Sequence, residues 1–110
     1  MFIYIITHPA FKDWIKIGTT NNLKSRLKNY QTHCPDKAFK IEFSIELNED
    51  RLGLLFDAFL KKFMKDDAGE WYKISVEQAI KEITEIVNIM NNHNCVNELN
   101  NKLKYSLQIN

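Results

Sequence analysis

Residues 2–30, which read FIYIITHPAFKDWIKIGTTNNLKSRLKNY, form the stretch that decides the fold. Two short segments within it, 2–7 and 14–19, are rich in Ile and aromatic residues and are separated by a loop that contains a His-Pro pair. Short apolar segments bounded by turn residues are typical of strands. The two segments therefore predict an antiparallel hairpin.

Side chains on such strands alternate between the two faces of the hairpin. Tyr4 shares a face with Phe2 and Ile6, and Lys16 shares one with Gly18. If the hairpin brings like faces together, Tyr4 and Lys16 point the same way. Burying an unpaired ammonium is costly, so Lys16 has to reach water, a carboxylate or a ligand. Gly18 is expected to leave open space on this face.

A helix over residues 23–33 is predicted after the hairpin, because two Asn residues suited to an N-cap precede it. Its apolar stripe passes close to Arg26, which is therefore expected to lean toward the sheet. Lys24 and Lys28 lie well away from that stripe. We expect these two side chains to meet solvent or a phosphate backbone.

The rest of the chain predicts a third strand and further helices. Residues 39–47 alternate apolar and polar side chains, which predicts a strand with one buried and one wet face. A helix is expected over about residues 50–65. Another is expected from residue 76 to about residue 91, and it begins with a capping box at Ser75.

The predicted fold class is α+β, with a three-stranded antiparallel sheet flanked by helices. The 110 residues are enough for one hydrophobic core. We expect residues 1–92 to form this domain and residues 93–110 to be its helical extension. Residues 70–74 are predicted to be a brief extended segment, and residues 96–107 a weak terminal helix.

Composition narrows the functional classes. The two cysteines lie far apart without a neighbouring ligand pattern, which argues against a zinc site. The scattered histidines are expected to be structural. No signal peptide and no membrane-spanning apolar stretch are present, so we expect an intracellular location, cytoplasmic or wherever the DNA is.

Charge is distributed unevenly along the chain. Residues 1–40 hold seven basic against two acidic residues, whereas the remainder holds eight against twelve. The basic part coincides with the hairpin and the first helix. A phosphate-binding surface requires such a coincidence, although a solvated helix face would produce the same pattern.

The order of these motifs resembles that of the GIY-YIG nuclease superfamily. Its first triplet matches residues 2–4 (Phe-Ile-Tyr), and its second matches residues 16–18 (Lys-Ile-Gly). The helix that bears Arg26 and an Ala-Gly-Glu-Trp-Tyr element at residues 68–72 complete the pattern. The Lys in the second triplet is similar to the phage and viral open-reading-frame branch of the superfamily. The resemblance covers about residues 2–75.

This resemblance implies a metal-dependent DNA endonuclease that hydrolyses phosphodiester bonds to leave a 5′-phosphate and a 3′-hydroxyl. Tyr4 would act as the general base or orient the attacking water, and Lys16 would supply a cation that favours the ionised tyrosine. Arg26 would bind the scissile phosphate through its planar guanidinium group. Glu70 would hold a single divalent ion, Mg²⁺ or Mn²⁺.

Relatives often carry a His one helical turn after the Arg, and in this chain Tyr30 takes that position. Its hydroxyl is expected to assist, while Lys24 and Lys28 would contact the DNA backbone. Two other interpretations fit the sequence. One is a catalytically inactive nucleic-acid-binding module of the same fold. The other is a protein-interaction domain whose apolar third and fourth helices dock on a partner; the oligomeric state is not predicted.

Overall fold

The computed structural model of the chain describes residues 1–49, 52–56 and 71–92. Residues 52–56 are helical, in agreement with the part of the predicted second helix that they cover. The rest of that helix, predicted over residues 50–65, lies outside the described residues. The terminal helix predicted over residues 96–107 does so as well.

The predicted hairpin forms. Strand β1 spans Phe2–Thr7 and strand β2 spans Ile15–Thr20, one residue later than predicted. The antiparallel register places Tyr4 opposite Gly18, which is two residues from Lys16. Residues that are opposite each other or two apart share a face of a sheet. Tyr4 and Lys16 therefore point the same way, as the sequence predicted.

Helix α1 spans Leu23–Thr32, close to the predicted range. Asn22 is its N-cap, and the Asn22 side-chain oxygen accepts a hydrogen bond from the backbone N–H of Ser25 at 3.0 Å. No residue of α1 is buried. The helix therefore rests on the sheet through half-buried side chains and presents most of its surface to solvent.

Strand β3 spans Lys40–Glu46 and lies at one edge of the sheet, next to β1. Its side chains alternate between half-buried and exposed, as predicted. The hydroxyl of Thr7 donates a hydrogen bond to a carboxylate oxygen of Glu42 at 2.9 Å. This contact joins the end of β1 to the middle of β3.

A β-bulge at Glu42 interrupts the pairing of β3 with β1. Ile5 pairs with Phe43, but the next residue, Ile6, pairs with Ile41. A bulge re-aims the side chains beyond it, and this one moves Ile41 to the sheet face opposite Phe43. The prediction that all apolar residues of this strand share one face is therefore wrong. The extra residue makes the side chains before it change faces, although apolar and polar residues still alternate in the sequence.

Within the described residues the sheet has four strands, so the prediction of three is wrong. Strand β4, Trp71–Tyr72, pairs with β2, and the strand order is β3-β1-β2-β4. The register places Trp71 opposite Lys16. Two residues are too few to show the alternation by which a strand is recognised in a sequence.

The main core lies on the sheet face opposite Tyr4. Ile3, Ile5 and Ile17 are between 0 and 4% exposed, and they cluster with helix α2, Val76–Asn92. The buried apolar residues of α2 are Ala79, Ile83, Ile86, Val87 and Met90. The predicted cap at its start is confirmed, because the Ser75 hydroxyl accepts a hydrogen bond from a backbone N–H at 3.1 Å. Of the helices in the described ranges, none is long and apolar enough to cross a bilayer.

Candidate functional site

Tyr4 lies on the sheet with its ring directly over Gly18. Only 3% of Tyr4 is exposed. A Cβ atom on Gly18 would come within 2.6 Å of the Tyr4 hydroxyl oxygen, which is closer than such contacts occur in proteins. The space beside Gly18, which the sequence predicted to be open, is therefore filled by the Tyr4 ring.

The Tyr4 hydroxyl meets the hydroxyl of Tyr30. The two oxygens are 3.2 Å apart, and either can donate the hydrogen bond. The two rings meet edge to face, with their centroids 6.4 Å apart. This contact joins helix α1 to strand β1. It also brings the residue predicted to assist directly to the predicted general base.

Lys16 extends between two aromatic rings. Its Nζ lies 4.9 Å from the centroid of the Tyr30 ring and 5.1 Å from that of the Trp71 ring. Both distances are within the range of about 6 Å in which a cation is attracted to a ring face. The half-buried Lys16 is therefore held beside the Tyr4–Tyr30 pair. The sequence predicted that Lys16 needs a partner, but it did not identify these rings.

Further aromatic side chains extend this arrangement along the surface. Phe39 lies 5.3 Å from the Tyr30 ring and 6.4 Å from the Trp71 ring, between centroids. Phe11, from the loop between β1 and β2, lies 5.1 Å from the Trp71 ring. We call Tyr4, Tyr30, Phe39, Trp71 and Phe11 the aromatic cluster. Sequence reasoning assigned no function to the last three of these residues.

The position of Phe39 follows from two local features. The bulge at Glu42 places Ile41 on the face on which Tyr4 lies, and Phe39, two residues earlier, lies on the same side. In addition, the Gln31 side-chain amide donates to the Phe39 carbonyl oxygen at 2.8 Å and accepts from the Phe39 N–H at 3.1 Å. Helix α1 thus fixes the backbone of Phe39 from one side. The alternating pattern of the strand predicted the wrong face for this residue.

Helix α1 also carries the predicted phosphate-binding residues. Arg26 lies one helical turn before Tyr30, so the two side chains are neighbours on the helix surface. Arg26, Lys24 and Lys28 are exposed, and α1 contains no acidic residue. Among the residues described by the structure, the Arg26 side chain makes no ion pair. Of these three cations, Arg26 is the one that lies next to the aromatic cluster.

Glu70, the predicted metal ligand, lies outside the described residues. Its neighbour in the sequence, Trp71, pairs with Lys16 across the sheet edge. The structure therefore brings together Tyr4, Tyr30 and Lys16, and it places Arg26 one turn away on α1. The assignment of Glu70 stays a prediction.

A family model matches most of the chain, residues 1–89, and describes it as a T5orf172 domain. The chain belongs to the T5orf172 domain family. This domain is phage-associated, has a nuclease-like fold and is loosely associated with nuclease activity. The match supports the phage association and the nuclease-like class of the predicted family, and it does not itself name the GIY-YIG superfamily. No curated protein and no solved structure matches the chain.

The T5orf172 domain contains a second polar cluster, which sequence reasoning missed. His8 follows β1, and Cys34 and Asp36 lie in the loop between α1 and β3. The Cys34 thiol donates to a carboxylate oxygen of Asp36 at 2.8 Å, and the His8 Nε2 lies 3.2 Å from the same oxygen. The thiol and the His8 ring lower the pKa of the Asp36 carboxyl below its usual value. No local spacing in the sequence could have identified this contact between two loops.

The hydrogen bonds of His8 indicate whether this cluster is a metal site. Its three ligand atoms lie within 4.8 Å of one another, so distance alone would allow a metal ion. However, the backbone N–H of Ala10 donates to His8 Nδ1 at 3.0 Å, so in the neutral ring Nε2 carries the proton. A metal-binding histidine instead donates with the ring nitrogen that does not bind the metal. The cluster in this T5orf172 domain is therefore a hydrogen-bonded clasp between two loops.

Proposed function

We propose that this T5orf172 domain is a metal-dependent DNA endonuclease of the GIY-YIG type that hydrolyses phosphodiester bonds. The observation that carries the proposal is the contact of the Tyr4 and Tyr30 hydroxyls beside the Lys16 ammonium. The basic helix α1 flanks this contact. The association of the family with nuclease activity supports the same reaction class.

Substrate binding is assigned to helix α1. Lys24, Arg26 and Lys28 are exposed cations on a helix without acidic residues, and such a surface attracts the phosphate backbone of DNA. Arg26 is assigned to the scissile phosphate because it lies one turn from Tyr30. Its planar guanidinium can bind two phosphate oxygens at once, which a lysine ammonium cannot match in geometry.

Activation of water is assigned to Tyr4. A hydrogen bond donated by the Tyr30 hydroxyl stabilises the ionised form of Tyr4, and only that form can take a proton from water. The ammonium of Lys16 lies against the Tyr30 ring and favours negative charge in its surroundings, on Tyr4 or on the phosphate. Tyr4 thus orients or deprotonates the water, and Tyr30 keeps the Tyr4 hydroxyl in place.

The metal ligand is assigned to Glu70. The described side chains of the site end in hydroxyl groups or in cationic groups, whereas Mg²⁺ prefers carboxylate oxygens as ligands. Glu70 directly precedes Trp71 in the sequence and supplies such a group. A single Mg²⁺ or Mn²⁺ held there would neutralise charge on the phosphate and on the leaving oxygen. The products would carry a 5′-phosphate and a 3′-hydroxyl.

A second candidate function is DNA binding without cleavage. The burial of Tyr4 favours it, since only 3% of this residue is exposed and water has little access to its ring. The protein-interaction interpretation has less support. Helix α2 is the predicted third helix, and its apolar face is buried in the core and is not available to a partner. The predicted fourth helix, residues 96–107, lies outside the described residues.

The test is the conversion of supercoiled plasmid to nicked or linear forms with Mg²⁺ or Mn²⁺. The variants are Glu70→Gln and Arg26→Ala, and the control is Lys81→Ala, an exposed cation of α2 on the other side of the sheet. We expect cutting by the native protein and the control, none by Glu70→Gln, and a rate lower by about 10²- to 10³-fold for Arg26→Ala. Cutting that survives Glu70→Gln would contradict the assigned metal site. DNA binding without any cutting would favour the second candidate.

A further inference from the structure

We propose that Phe11 and Trp71 form a stacking platform for an unpaired nucleobase, so that the domain prefers single-stranded or locally unpaired DNA over continuous duplex. The inference rests on the proposed function only in that nucleic acid has to bind beside α1. It adds the substrate class, which the family match does not give.

Phe11 is an exposed aromatic side chain on a well-defined turn. It is 48% exposed, and Leu54 is the other strongly exposed large apolar residue in the described part of the chain. The backbone N–H of Phe11 donates to the His8 carbonyl at 3.0 Å, and the Phe11 carbonyl accepts from the Trp14 N–H at 3.1 Å. These two hydrogen bonds fix the backbone of the turn that carries the ring.

The inner side of the Phe11 ring is supported by other rings. Its centroid lies 5.1 Å from that of Trp71 and 5.6 Å from that of His8. About half of its surface still reaches solvent. A flat, rigid ring that is supported from below and open above is suited to stacking against a base.

A cationic side chain lies next to this platform. The Lys16 Nζ lies 5.1 Å from the Trp71 ring centroid and 4.9 Å from that of Tyr30, which is one helical turn from Arg26 on α1. Proteins that bind single strands combine positive charge for the backbone with aromatic rings for the bases. Bases within a continuous duplex are already stacked on each other and offer no free face. The combination of Phe11 and Trp71 with Lys16 therefore selects for an unpaired nucleotide.

The experiment measures binding of the full chain to a labelled single-stranded oligonucleotide and to the duplex of the same sequence. Fluorescence anisotropy in EDTA prevents cleavage during the measurement. The variants are Phe11→Ala, Phe11→Tyr and Phe11→Leu, and the control is Leu54→Ala. Leu54 follows Gly53, which lies against the Met1 side chain at the opposite end of β1 from Phe11. Thermal unfolding of each variant verifies that it is folded.

The native protein is expected to bind the single strand more tightly than the duplex. Phe11→Ala and Phe11→Leu should weaken single-strand binding by roughly tenfold, as expected for the loss of one stacked base, while Phe11→Tyr and Leu54→Ala should match the native protein. Duplex binding should change by less than about twofold in all four variants, because phosphate contacts dominate it.

Three results would overturn the inference. If Phe11→Leu binds the single strand as tightly as the native protein, an aromatic face is not required. If Phe11→Ala has no effect but Arg26→Ala weakens duplex binding, the stacking platform is wrong while the proposed function stands. If the native protein binds neither oligonucleotide, both proposals fail together.

Discussion

The Tyr4 ring occupies the volume that a side chain at position 18 would need. A Cβ atom on Gly18 would lie 2.6 Å from the Tyr4 hydroxyl oxygen and 2.8 Å from the ring carbon Cζ. The Tyr4 ring is buried and cannot move aside without breaking its contact with Tyr30. The buried position of Tyr4, in the first triplet, therefore requires a glycine at position 18, in the second triplet.

Gly18→Ala is expected to lower the free energy of unfolding by about 1–3 kcal/mol, as overpacking of a well-packed site does. Cleavage should fall as well, because the Tyr4 hydroxyl is displaced. Chemical denaturation and the plasmid assay measure the two effects. The control is Gly53→Ala, whose Cβ would be 2.6 Å from Cγ of Met1, a terminal side chain that can move. A Gly18→Ala variant as stable and active as the native protein would contradict the fit described here.

Tyr30→Phe removes the hydrogen-bonding partner of Tyr4 but keeps the ring that contacts Lys16. We expect the free energy of unfolding to fall by about 0.5–1.5 kcal/mol, the usual contribution of one hydrogen bond. The cleavage rate should fall more than the DNA affinity, since the hydroxyl positions Tyr4 and does not hold the backbone. Tyr30→Leu, which also loses the ring face, should be the more damaging change. Equal cleavage by Tyr30→Phe and the native protein would remove the assisting role from Tyr30.

Lys16→Met keeps the length of the side chain and removes its charge. Each cation–ring contact of Lys16 contributes about 0.5–1 kcal/mol at most when partly exposed, so the loss of stability should be small. Cleavage should fall by about 10²-fold or more if the ammonium stabilises charge in the transition state. Lys40→Met is the matched control, because Lys40 is exposed and its contact with Glu42, at 3.8 Å, is a surface ion pair of little worth. Similar cleavage by both variants would show that Lys16 has a packing role only.

The clasp predicts a pH effect at Asp36. Hydrogen bonds from Cys34 and then His8 lower the pKa of this carboxyl below its usual value of 3.8. A pKa that is lowered by folding gives a stabilisation that is complete above the usual value and is lost as the pH falls through the folded pKa. Cys34→Ala should raise the pKa of Asp36 toward 3.8, whereas Cys34→Ser, which retains a donor, should not. An NMR titration of the Asp36 carboxyl carbon measures this, and an unchanged pKa in Cys34→Ala would show that the thiol does not donate.

Local patterns predicted the hairpin, helix α1 and the cap at Ser75, because each depends on residues that are close in the sequence. They also placed Tyr4 and Lys16 on one face, since strand alternation and hairpin pairing fix that relationship. The partner of Lys16 could not be predicted in the same way. Trp71 lies far along the chain in a strand of two residues, and its position opposite Lys16 arises only when the sheet is assembled. The His8 clasp is hidden for the same reason, because two loops have to meet to form it.

The bulge at Glu42 makes the pairing of β3 with β1 as important as the composition of the strand. Ile41 and Phe43 are two residues apart, yet they lie on opposite faces of the sheet because the pairing of the two strands skips Glu42. If Glu42 paired with Ile6 instead, every position between it and α1 would change faces, and Phe39 would turn away from Tyr30 and toward the core. Deleting Glu42 would keep Ile41 opposite Ile6 and Phe39 on the face of Tyr4, because adjacent residues of a regular strand point to opposite faces. The extra residue therefore lets a strand of strictly alternating sequence supply apolar side chains to both faces of the sheet.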